Sequence, residues 1–384
     1  MVKKIAVIIT ARASYARIKS FLNEANKSKK NKLYIILNSS SVLEKFGDIT
    51  KILKKDNLKI YHKSFTSLEG ISLSNQVKTT ALNMIDLSVL FKEIKPDIVI
   101  TIADRFETLA TAITAAYLNI PLGHIQGGEI SGSIDEKVRH SITKLADLHF
   151  VSTFQAKKNL IKMGEEKNKV FVTGCPSIDL IKNLKNLKLD FDPIKKYKGI
   201  GSNINFKKKY LVVMQHPVTT SYENSSFQIN ETIKAIKRLN IQTVWMWPNI
   251  DVGSDTISKK LRLFRERNKK LKLHFFKNFS PEDFIKLCYN SHILIGNSSV
   301  GIRESSYMGI NVINIGDRQK NRERGKNIVD VNYNSFEIEK AAKKYLSKKK
   351  FFKKNVLYGN GSAGKKILKI INKEKLTFSK ILRV

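Results

Sequence analysis

The sequence has few cysteines and no long apolar run, and each shortage excludes a class of protein. Cys175 and Cys288 are the only cysteines in 384 residues, which excludes a disulfide-stapled scaffold and indicates free thiols in a reducing cytoplasm. No segment has eighteen consecutive apolar residues, so no membrane-spanning helix is expected. The N-terminal MVKKIAVIIT predicts a first buried strand and not a signal peptide, because no small-residue cleavage site follows it.

Acidic residues are also scarce, since 33 Asp and Glu stand against 70 Lys and Arg and the formal net charge is +37. Clustered cations would indicate nucleic-acid binding. However, only 13 of the 70 basic residues are arginines, and the lysines are scattered through every segment. Nucleic acid is therefore not the expected partner, and the charge is expected to favour anionic substrates.

Several nucleotide and metal motifs are absent from the sequence. It contains no G-x-x-x-x-G-K-[ST], and no G-x-G-x-x-G follows the first predicted strand, which argues against a P-loop and against NAD. His124, His140 and His149 lie outside any H-E-x-x-H or cysteine-rich setting. No metal site is therefore expected.

The chain does contain two series of short apolar runs separated by helical patterns, which is typical of parallel sheets with helices on both faces. A lysine-rich, strand-poor interval separates the two series. The predicted fold class is α/β, with two doubly wound domains. The predicted boundaries are 1–185 for an N-terminal Rossmann-like domain, 186–208 for a connection, 209–365 for a C-terminal Rossmann-like domain and 366–384 for a helix with the option of packing back on the first domain.

Polar clusters follow the predicted strands at their carboxyl ends. The clusters are ITARASY, ADRFE, HIQGGEISGSIDE, MQHPVTT, WPNIDVGS, IGNSSVGIRE and NIGDRQKNR. Turn formation explains any one of them, because Gly, Asn, Asp and Ser suit turns. Seven clusters on one rim indicate a site instead, and we expect the strand ends of the two domains to line one cleft.

The cluster IGNSSVGIRE predicts an anion site. A strand is expected to stop at Gly296 and a helix to begin near Val300, so that backbone N–H groups and the hydroxyls of Ser298 and Ser299 hold a phosphate. A plain helix N-cap is the alternative role for Ser298.

Other side chains of these clusters are expected to assist in binding. Arg12 and Arg318 would add charge-assisted contacts to a phosphate, and Glu304 would accept the two hydroxyls of a ribose. His216 is expected to face the cleft, because Pro217 stiffens the backbone after it.

These segments resemble the hydrolysing UDP-N-acetylglucosamine 2-epimerases, which begin sialic acid and related nonulosonic acid biosynthesis. The resemblance runs from about residue 3 to residue 330 and also includes GCPSID and QHPVTT, with order and spacing kept. It implies the GT-B architecture of two Rossmann-like domains, a nucleotide-sugar substrate, homodimers or homotetramers, and no metal or redox cofactor.

The resemblance also implies a reaction, in which UDP-N-acetylglucosamine becomes N-acetylmannosamine and UDP through a 2-acetamidoglucal intermediate. Asp104 and Asp135 match acid/base positions, and Arg105 and Arg139 match residues that brace those acids and the sugar. The matches at the sugar are Gln126, Gly127, Gly128 and Glu129, and the match at the ribose is Glu304. The matches at the nucleotide and diphosphate are Arg12, His216, Asn249, Ser298, Ser299 and Arg318. His216 also matches a catalytic position.

Gln126 departs from the family pattern, because the chain reads HIQGGE where the family usually reads H-I-E-G-G-E. Glutamine forms hydrogen bonds but cannot shuttle a proton. Glu129 or Asp135 takes that role, or the substrate is a UDP- or GDP-linked 2,4-diacetamido-trideoxy sugar of legionaminic acid pathways, or activity is lost. A GT-B glycosyltransferase is the alternative from another class, and the acid cluster disfavours it.

Overall fold

A computed structural model describes residues 2–43, 49–68, 72–131, 134–249, 251–347, 352–378 and 380–381. The chain divides into two compact units. The first unit comprises Met1–Ile130, Ile134–Asn183 and Tyr358–Val384, and the second comprises Ser131–Ser133 and Leu184–Leu357. The chain thus passes into the second unit after Asn183 and returns to the first unit at Tyr358.

The first unit contains a seven-stranded sheet among its described residues, and every strand pair in it is parallel. The strand order is β3-β2-β1-β4-β5-β6-β7. The strands are β1 (Lys3–Ile9), β2 (Asn31–Leu37), β3 (Ile60–Lys63), β4 (Ile98–Ile102), β5 (Leu122–Ile125), β6 (Leu148–Val151) and β7 (Val170–Val172). The helices are α1 (Arg12–Ala16), α2 (Lys19–Lys27), α3 (Ile49–Lys55), α4 (Leu73–Ile94), α5 (Thr108–Tyr117), α6 (Ile134–Leu145), α7 (Phe154–Lys162) and α8 (Pro176–Asn183).

Alternation along β1 explains why helices cover both faces of this sheet. Ile5 and Val7 point into a core that includes Phe21 of α2, whereas Ile8 points into a second core with Phe91 of α4. Successive side chains of a strand point to opposite faces, so a strand that is apolar at every position needs cover on both.

The second unit also contains a seven-stranded sheet among its described residues, in the order β14-β13-β12-β9-β10-β11-β8. Its pairs are parallel, apart from the antiparallel edge pair of β8 and β11. The strands are β8 (Ile200–Gly201), β9 (Leu211–Met214), β10 (Thr243–Met246), β11 (Leu273–Phe276), β12 (Ile293–Gly296), β13 (Val312–Ile315) and β14 (Ile328–Val331). The helices are α9 (Pro193–Tyr197), α10 (Ser225–Leu239), α11 (Ser254–Arg267), α12 (Pro281–Asn290), α13 (Arg303–Met308) and α14 (Ser335–Leu346).

The last described helix, α15 (Ala363–Lys373), belongs to the first unit and packs against α2 and α8. Asp179 of α8 accepts hydrogen bonds from the backbone N–H groups of Ala363 and Gly364, at 2.9 and 2.8 Å. A carboxylate at these N–H groups satisfies donors that the first turn of a helix leaves unpaired. The acid of the GCPSID segment therefore fixes the closing helix.

Both sheets have the same arrangement around a topological switch point. β1 and β4 are neighbours in the first sheet, and β9 and β12 are neighbours in the second, with the chain leading away in opposite directions from each pair. Open α/β sheets bind ligands outside the carboxyl ends of such strands. Residues after these four strands are therefore the first candidates for a site.

The predicted apolar runs are all strands in the structure, and the strands that the sequence did not predict are β3, β8 and β14. β3 and β14 lie at sheet edges and are only partly buried, so they lack the continuous apolar run of a central strand. The interval 186–208, predicted as a strand-poor connection, contains α9 and the two-residue β8. Among the described helices, none has the length and apolarity needed to cross a membrane.

Candidate active site

A buried ion pair occupies the switch point of the first unit. Asp104 follows β4, and its Oδ2 accepts a hydrogen bond from Arg139 of α6. The Arg139 side chain is 1% exposed and that of Asp104 is 14% exposed. A buried guanidinium is stable only when its charge is compensated, so this pair ties the end of β4 to α6.

Two further acidic residues lie around the Arg139 guanidinium. Arg139 donates to the backbone carbonyl of Glu129 at 2.5 Å, and Asp135 precedes it by four residues on α6. Residues four apart share one face of a helix. Burial works to lower the pKa of Arg139, but the nearby carboxylates, Asp104 first, outweigh it and raise the pKa. The structure thus gathers Asp104, Glu129 and Asp135 around one fixed positive charge.

The backbone before Asp104 is in a left-handed conformation that non-glycine residues rarely adopt. Ala103 has a φ of 65°. Its carbonyl oxygen accepts a hydrogen bond from Nε2 of His124, at 2.9 Å, while Nδ1 of His124 accepts from Thr143 at 3.3 Å. Burial lowers the pKa of His124 to about 3, so the ring is neutral at neutral pH. His124 therefore holds the turn that carries Asp104, at a position where strain commonly accompanies function.

Arg105 pairs within its own turn. Its Nε donates to Oε1 of Glu107 at 2.9 Å, and Glu107 is 1% exposed. Arg139 is thus one partner of Asp104, and Glu107 is one partner of Arg105. Its predicted role as a brace of the acids stays a prediction.

Gln126 directly follows β5 and is fully buried, with a φ of 68°. Its Oε1 accepts a hydrogen bond from Arg17 at 3.3 Å, and its Nε2 donates to the sulfur of Cys175 at 2.9 Å. The amide that the sequence assigns to the sugar thus makes two hydrogen bonds within the protein.

Gly127 and Gly128 pack against the first unit itself. A Cβ at Gly127 would lie 3.0 Å from Nδ1 of His124, and a Cβ at Gly128 would collide with the backbone carbonyl of Ala156. Gly128 also has a φ of 75°, which favours glycine. Close packing around His124 and α7 therefore favours glycine at both positions, and their predicted approach to substrate stays a prediction.

The remaining histidines of this region contact acidic side chains of the same unit. His140 lies 3.3 Å from Glu136 on the surface of α6. His149 lies 2.9 Å from the buried Glu165, which Lys380 also contacts at 2.6 Å. Burial works to raise the pKa of Glu165, but hydrogen bonds from His149 and Lys380 outweigh it and lower the pKa to about 2. These pairs explain both histidines as structural.

The uncharged side chain of Asn297 joins two loops at the switch point of the second unit. Asn297 follows β12 and exchanges two hydrogen bonds with the backbone of His216, which follows β9, each at 2.7 Å. Nδ1 of His216 accepts from the backbone N–H of Asn249 at 3.2 Å. A neutral His216 ring therefore carries its proton on Nε2, where it is a donor.

The two serines after β12 have different partners. Ser298 caps a 3₁₀ turn (Ser299–Gly301) by accepting from Val300 N–H at 3.4 Å, and Ser299 accepts from the buried Arg303 at 2.9 Å. The helix predicted near Val300 is this turn followed by the six-residue α13. A helical turn thus begins near Val300 as predicted, Ser298 has the N-cap role, and Arg303 adds a positive charge to this segment.

Glu304 lies in the first turn of α13 and is 6% exposed. Among the described residues, no hydrogen-bond partner reaches its Oε2, which is buried. Buried polar atoms are nearly always paired, so an unpaired carboxylate oxygen suits a hydroxyl donor of a ligand.

Arg318 follows β13 and donates to the backbone carbonyl of Asn297 at 3.2 Å. Gln319 donates to the same carbonyl at 3.1 Å. The structure thus brings His216, Arg318 and the segment after β12 together within the second unit. Arg12 begins α1 after β1, in the first unit.

Sequence reasoning missed four residues of these networks, namely Arg17, Cys175, Asn297 and Arg303. Asn297 and Arg303 lie within IGNSSVGIRE, where their position after a strand could have drawn attention. Cys175 lies within GCPSID, but its contact with Gln126 spans about fifty residues. The contact of Arg17 with Gln126 spans more than a hundred residues, so local sequence indicates neither contact.

Two doubly wound sheets with polar residues at each switch point define the class of α/β proteins that bind ligands at strand ends. Comparison with known proteins specifies the family. The family described as UDP-N-acetylglucosamine 2-epimerase matches residues 23–372. The chain belongs to this family.

Curated relatives resemble nearly the whole chain. It is 30% identical over 378 residues to a UDP-N,N'-diacetylbacillosamine 2-epimerase (hydrolyzing) of Legionella pneumophila, covering 97% of this chain and 96% of the relative. It is 32% identical over 355 residues to a GDP/UDP-N,N'-diacetylbacillosamine 2-epimerase (hydrolyzing) of Campylobacter jejuni, with coverages of 92% and 89%. A UDP-N-acetylglucosamine 2-epimerase of Neisseria meningitidis is 29% identical over 349 residues, with coverages of 91% and 89%.

Solved structures share the fold. The structure of the Neisseria meningitidis UDP-GlcNAc 2-epimerase bound to UDP-GlcNAc has a TM-score of 0.79 at 19% identity, covering 97% of this chain and all of that one. A Methanocaldococcus jannaschii UDP-GlcNAc 2-epimerase in complex with UDP-GlcNAc and UDP gives the same TM-score, identity and coverage. The predicted fold class, with two Rossmann-like domains of the GT-B type, is confirmed.

Because Asn297 makes two buried hydrogen bonds, we expect its replacement to lower the stability of the second unit. Asn297→Ala leaves the buried N–H and C=O of His216 unpaired, at a cost of about 1–3 kcal/mol for each group. Both tryptophans, Trp245 and Trp247, lie in or directly after β10, so urea unfolding followed by tryptophan fluorescence reports on this unit. Asn332→Ala, at an exposed position, serves as the control. Equal urea midpoints of unfolding for the two variants would contradict a stabilising role of Asn297.

Proposed function

We propose that this protein is a hydrolysing 2-epimerase that acts on a nucleoside-diphosphate-linked 2-acetamido sugar and releases the nucleoside diphosphate and the C2-inverted sugar. The observation that carries the proposal is the cluster of Asp104, Glu129 and Asp135 around the buried Arg139, at the switch point of the first unit. Acids whose charges are balanced by one fixed cation are suited to proton transfer at defined positions.

The proposed reaction has two stages. A carboxylate removes the proton at C2 while the C1–O bond to the diphosphate breaks, and the electron pair of the C–H bond forms the C1–C2 double bond. Water then adds at C1, and an acid returns a proton to C2 on the opposite face. The C2 proton is weakly acidic, so base and leaving group have to be held together in a dry site.

The second unit supplies groups suited to the departing diphosphate. His216 presents a ring donor on Nε2, and Arg318 and Arg303 add positive charge near the segment after β12. Donors aimed at charge that grows in the transition state lower the barrier most. The buried Oε2 of Glu304 is suited to the ribose hydroxyls.

We propose a 2,4-diacetamido-trideoxy sugar as the preferred substrate, with UDP as the nucleotide. Support comes from the Legionella and Campylobacter relatives, which are named for N,N'-diacetylbacillosamine and align with over 90% of the chain. The neutral amide of Gln126 is further support, since it stands where the family usually has a carboxylate. UDP-N-acetylglucosamine is the second candidate, favoured by the Neisseria relative.

Product analysis in heavy water tests the reaction. With UDP-linked N,N'-diacetylbacillosamine and no acceptor, we expect a free C2-inverted sugar that carries deuterium at C2, detected by NMR. UDP-N-acetylglucosamine and the GDP-linked sugars are run in parallel to establish the substrate. Retention of the original hydrogen at C2 would contradict elimination, and release only with an added acceptor would favour a glycosyltransferase.

Substitution of the acids tests their assignment. Asp135→Asn keeps the shape of the side chain and removes its basicity, so turnover is expected to fall by about a hundredfold to ten-thousandfold. Asp104→Asn is expected to do the same and also to lower stability, because Arg139 loses its buried partner. UDP affinity should change little in either variant.

The control for the acids is Glu136→Gln, on the same helix as Asp135. Glu136 pairs with His140 at the surface, so its loss is expected to leave turnover within about twofold. Near-normal turnover in both aspartate variants would show that the acids are wrongly assigned.

We also propose that the protein is a homodimer that associates through α4. Leu73, Val77, Ile85 and Val89 are 52–71% exposed and follow one another, with Ala81, at intervals of four residues. Side chains at this spacing form a ridge that fits between the ridges of an identical helix crossing at about −50°. An exposed apolar ridge of five residues marks an interface, and the same surface on two copies is self-complementary.

The oligomeric state tests this interface. Light scattering after size exclusion should give twice the chain mass of 43.8 kDa for the wild type and the single-chain mass for Ile85→Glu/Val89→Glu. Phe154→Glu replaces another exposed apolar side chain, outside α4, and should leave the dimer intact. A monomeric wild type, or a dimeric double variant, would show that α4 is not the interface.

A further inference from the structure

Gln319 is a buried amide that joins two loops at the strand ends of the second unit. It lies in the loop after β13 and is 3% exposed. Its Nε2 donates to the backbone carbonyl of Asn297 at 3.1 Å, and its Oε1 accepts from Nη1 of Arg322 at 2.8 Å. Both ends of the amide are therefore held within the second unit.

The two partners of this amide require different groups from one side chain. The backbone carbonyl of Asn297 only accepts hydrogen bonds, whereas the guanidinium of Arg322 only donates them. Glutamine supplies the NH₂ donor to the first partner and the carbonyl acceptor to the second. An ionised glutamate would set an acceptor against the Asn297 carbonyl, and an apolar side chain of the same length would pair with neither.

The backbone that carries the Gln319 amide is itself fixed. Its carbonyl oxygen accepts a hydrogen bond from Arg324, whose guanidinium also pairs with Asp330 of β14. Asp330 accepts a further hydrogen bond from Asn314 of β13, at 2.8 Å. These contacts tie Gln319 to the two strands that flank its loop, so its side chain has the support that a positioning group needs.

The carbonyl that Gln319 holds belongs to the peptide bond between Asn297 and Ser298. Arg318 also donates to this carbonyl, at 3.2 Å, while the Asn297 side chain exchanges two hydrogen bonds with the backbone of His216. The loops after β9, β12 and β13 thus meet at Asn297. They carry the groups that we assign to the diphosphate, so a shift of this one peptide would displace several of those groups together.

We propose that Gln319 is a positioning residue for the diphosphate, which acts by fixing the peptide between Asn297 and Ser298 and not by contact with the nucleotide. This inference rests on the proposed function. Its consequence is that an uncharged substitution at position 319 weakens the binding of a nucleoside diphosphate, although the net charge of the protein stays the same.

Gln242 provides a matched control, because its amide also pairs with backbone groups of the second unit. Its Oε1 accepts from the N–H of Asn205 at 2.9 Å, and its Nε2 donates to the carbonyls of Asn205 and Lys209 at 2.7 and 2.9 Å. Gln242 directly precedes β10, so it lies at the amino ends of the strands, opposite the edge at which such sheets bind ligands.

The affinity for UDP, measured by isothermal titration calorimetry, tests the inference. Gln319→Met removes both hydrogen bonds of the amide, and we expect the Kd of UDP to rise by about fivefold to tenfold, as one lost hydrogen bond at the Asn297 carbonyl would produce. The kcat/KM for the UDP-linked diacetamido sugar should fall by at least the same factor, because the donors face charge that grows as the diphosphate leaves. Gln242→Met should leave both constants within about twofold.

Gln319→Asn is a second variant, which keeps the amide but is too short to reach both partners. We expect it to raise the Kd of UDP in the same direction as Gln319→Met. Urea unfolding followed by tryptophan fluorescence is measured alongside. Gln319→Met and Gln242→Met should both lower the urea midpoint, because each loses hydrogen bonds of the second unit, and only Gln319→Met should also weaken UDP binding.

The outcomes separate the inference from the proposed function. An unchanged Kd of UDP in folded Gln319→Met and Gln319→Asn overturns the inference alone, as do equal losses of affinity in Gln319→Met and Gln242→Met. A wild type that binds UDP and releases no sugar overturns the proposed function, while the Kd values still decide the role of Gln319. A wild type that binds neither UDP nor GDP overturns both.

Discussion

The first unit depends on the charge of Arg139, because a guanidinium that is 1% exposed has to be compensated where it lies. Asp104 and the carbonyl of Glu129 supply that compensation from the loops after β4 and β5, and Asp135 adds to it from the same helix. One buried cation thus lies among three acidic residues. Their carboxylates are held near one another without the full repulsion that like charges would otherwise impose.

Uncharged groups support the loops that carry these acids. The neutral ring of His124 is hydrogen-bonded to the carbonyl of Ala103 ahead of Asp104, and Gly127 and Gly128 pack closely against His124 and Ala156. The second unit achieves similar order with a neutral side chain, since Asn297 joins the loops after β9 and β12. Uncharged hydrogen-bonding side chains fix loops without adding charges that would compete with those used for binding or proton transfer.

Gln126 shows why a motif position cannot be interpreted apart from its neighbours. In the sequence it is a missing carboxylate within HIQGGE. In the structure it is one member of a network with Arg17 and Cys175, in which an amide satisfies both partners. The thiol that contacts Gln126 thus lies about fifty residues later in the sequence.

The sequence by itself determined the fold class, the central strands and the strand-end positions of Asp104, Gln126, His216 and Ser298, because buried parallel strands are continuous apolar runs and polar clusters follow them. It could not reveal β3, β8 or β14, whose partial exposure or shortness leaves no such run. Only the tertiary structure decided that Arg139 pairs with Asp104, that His124 is a neutral support, and that Cys175 contacts Gln126. The physical reason is that pairing between distant segments follows from the packing of helices on the sheet, which local residue patterns do not encode.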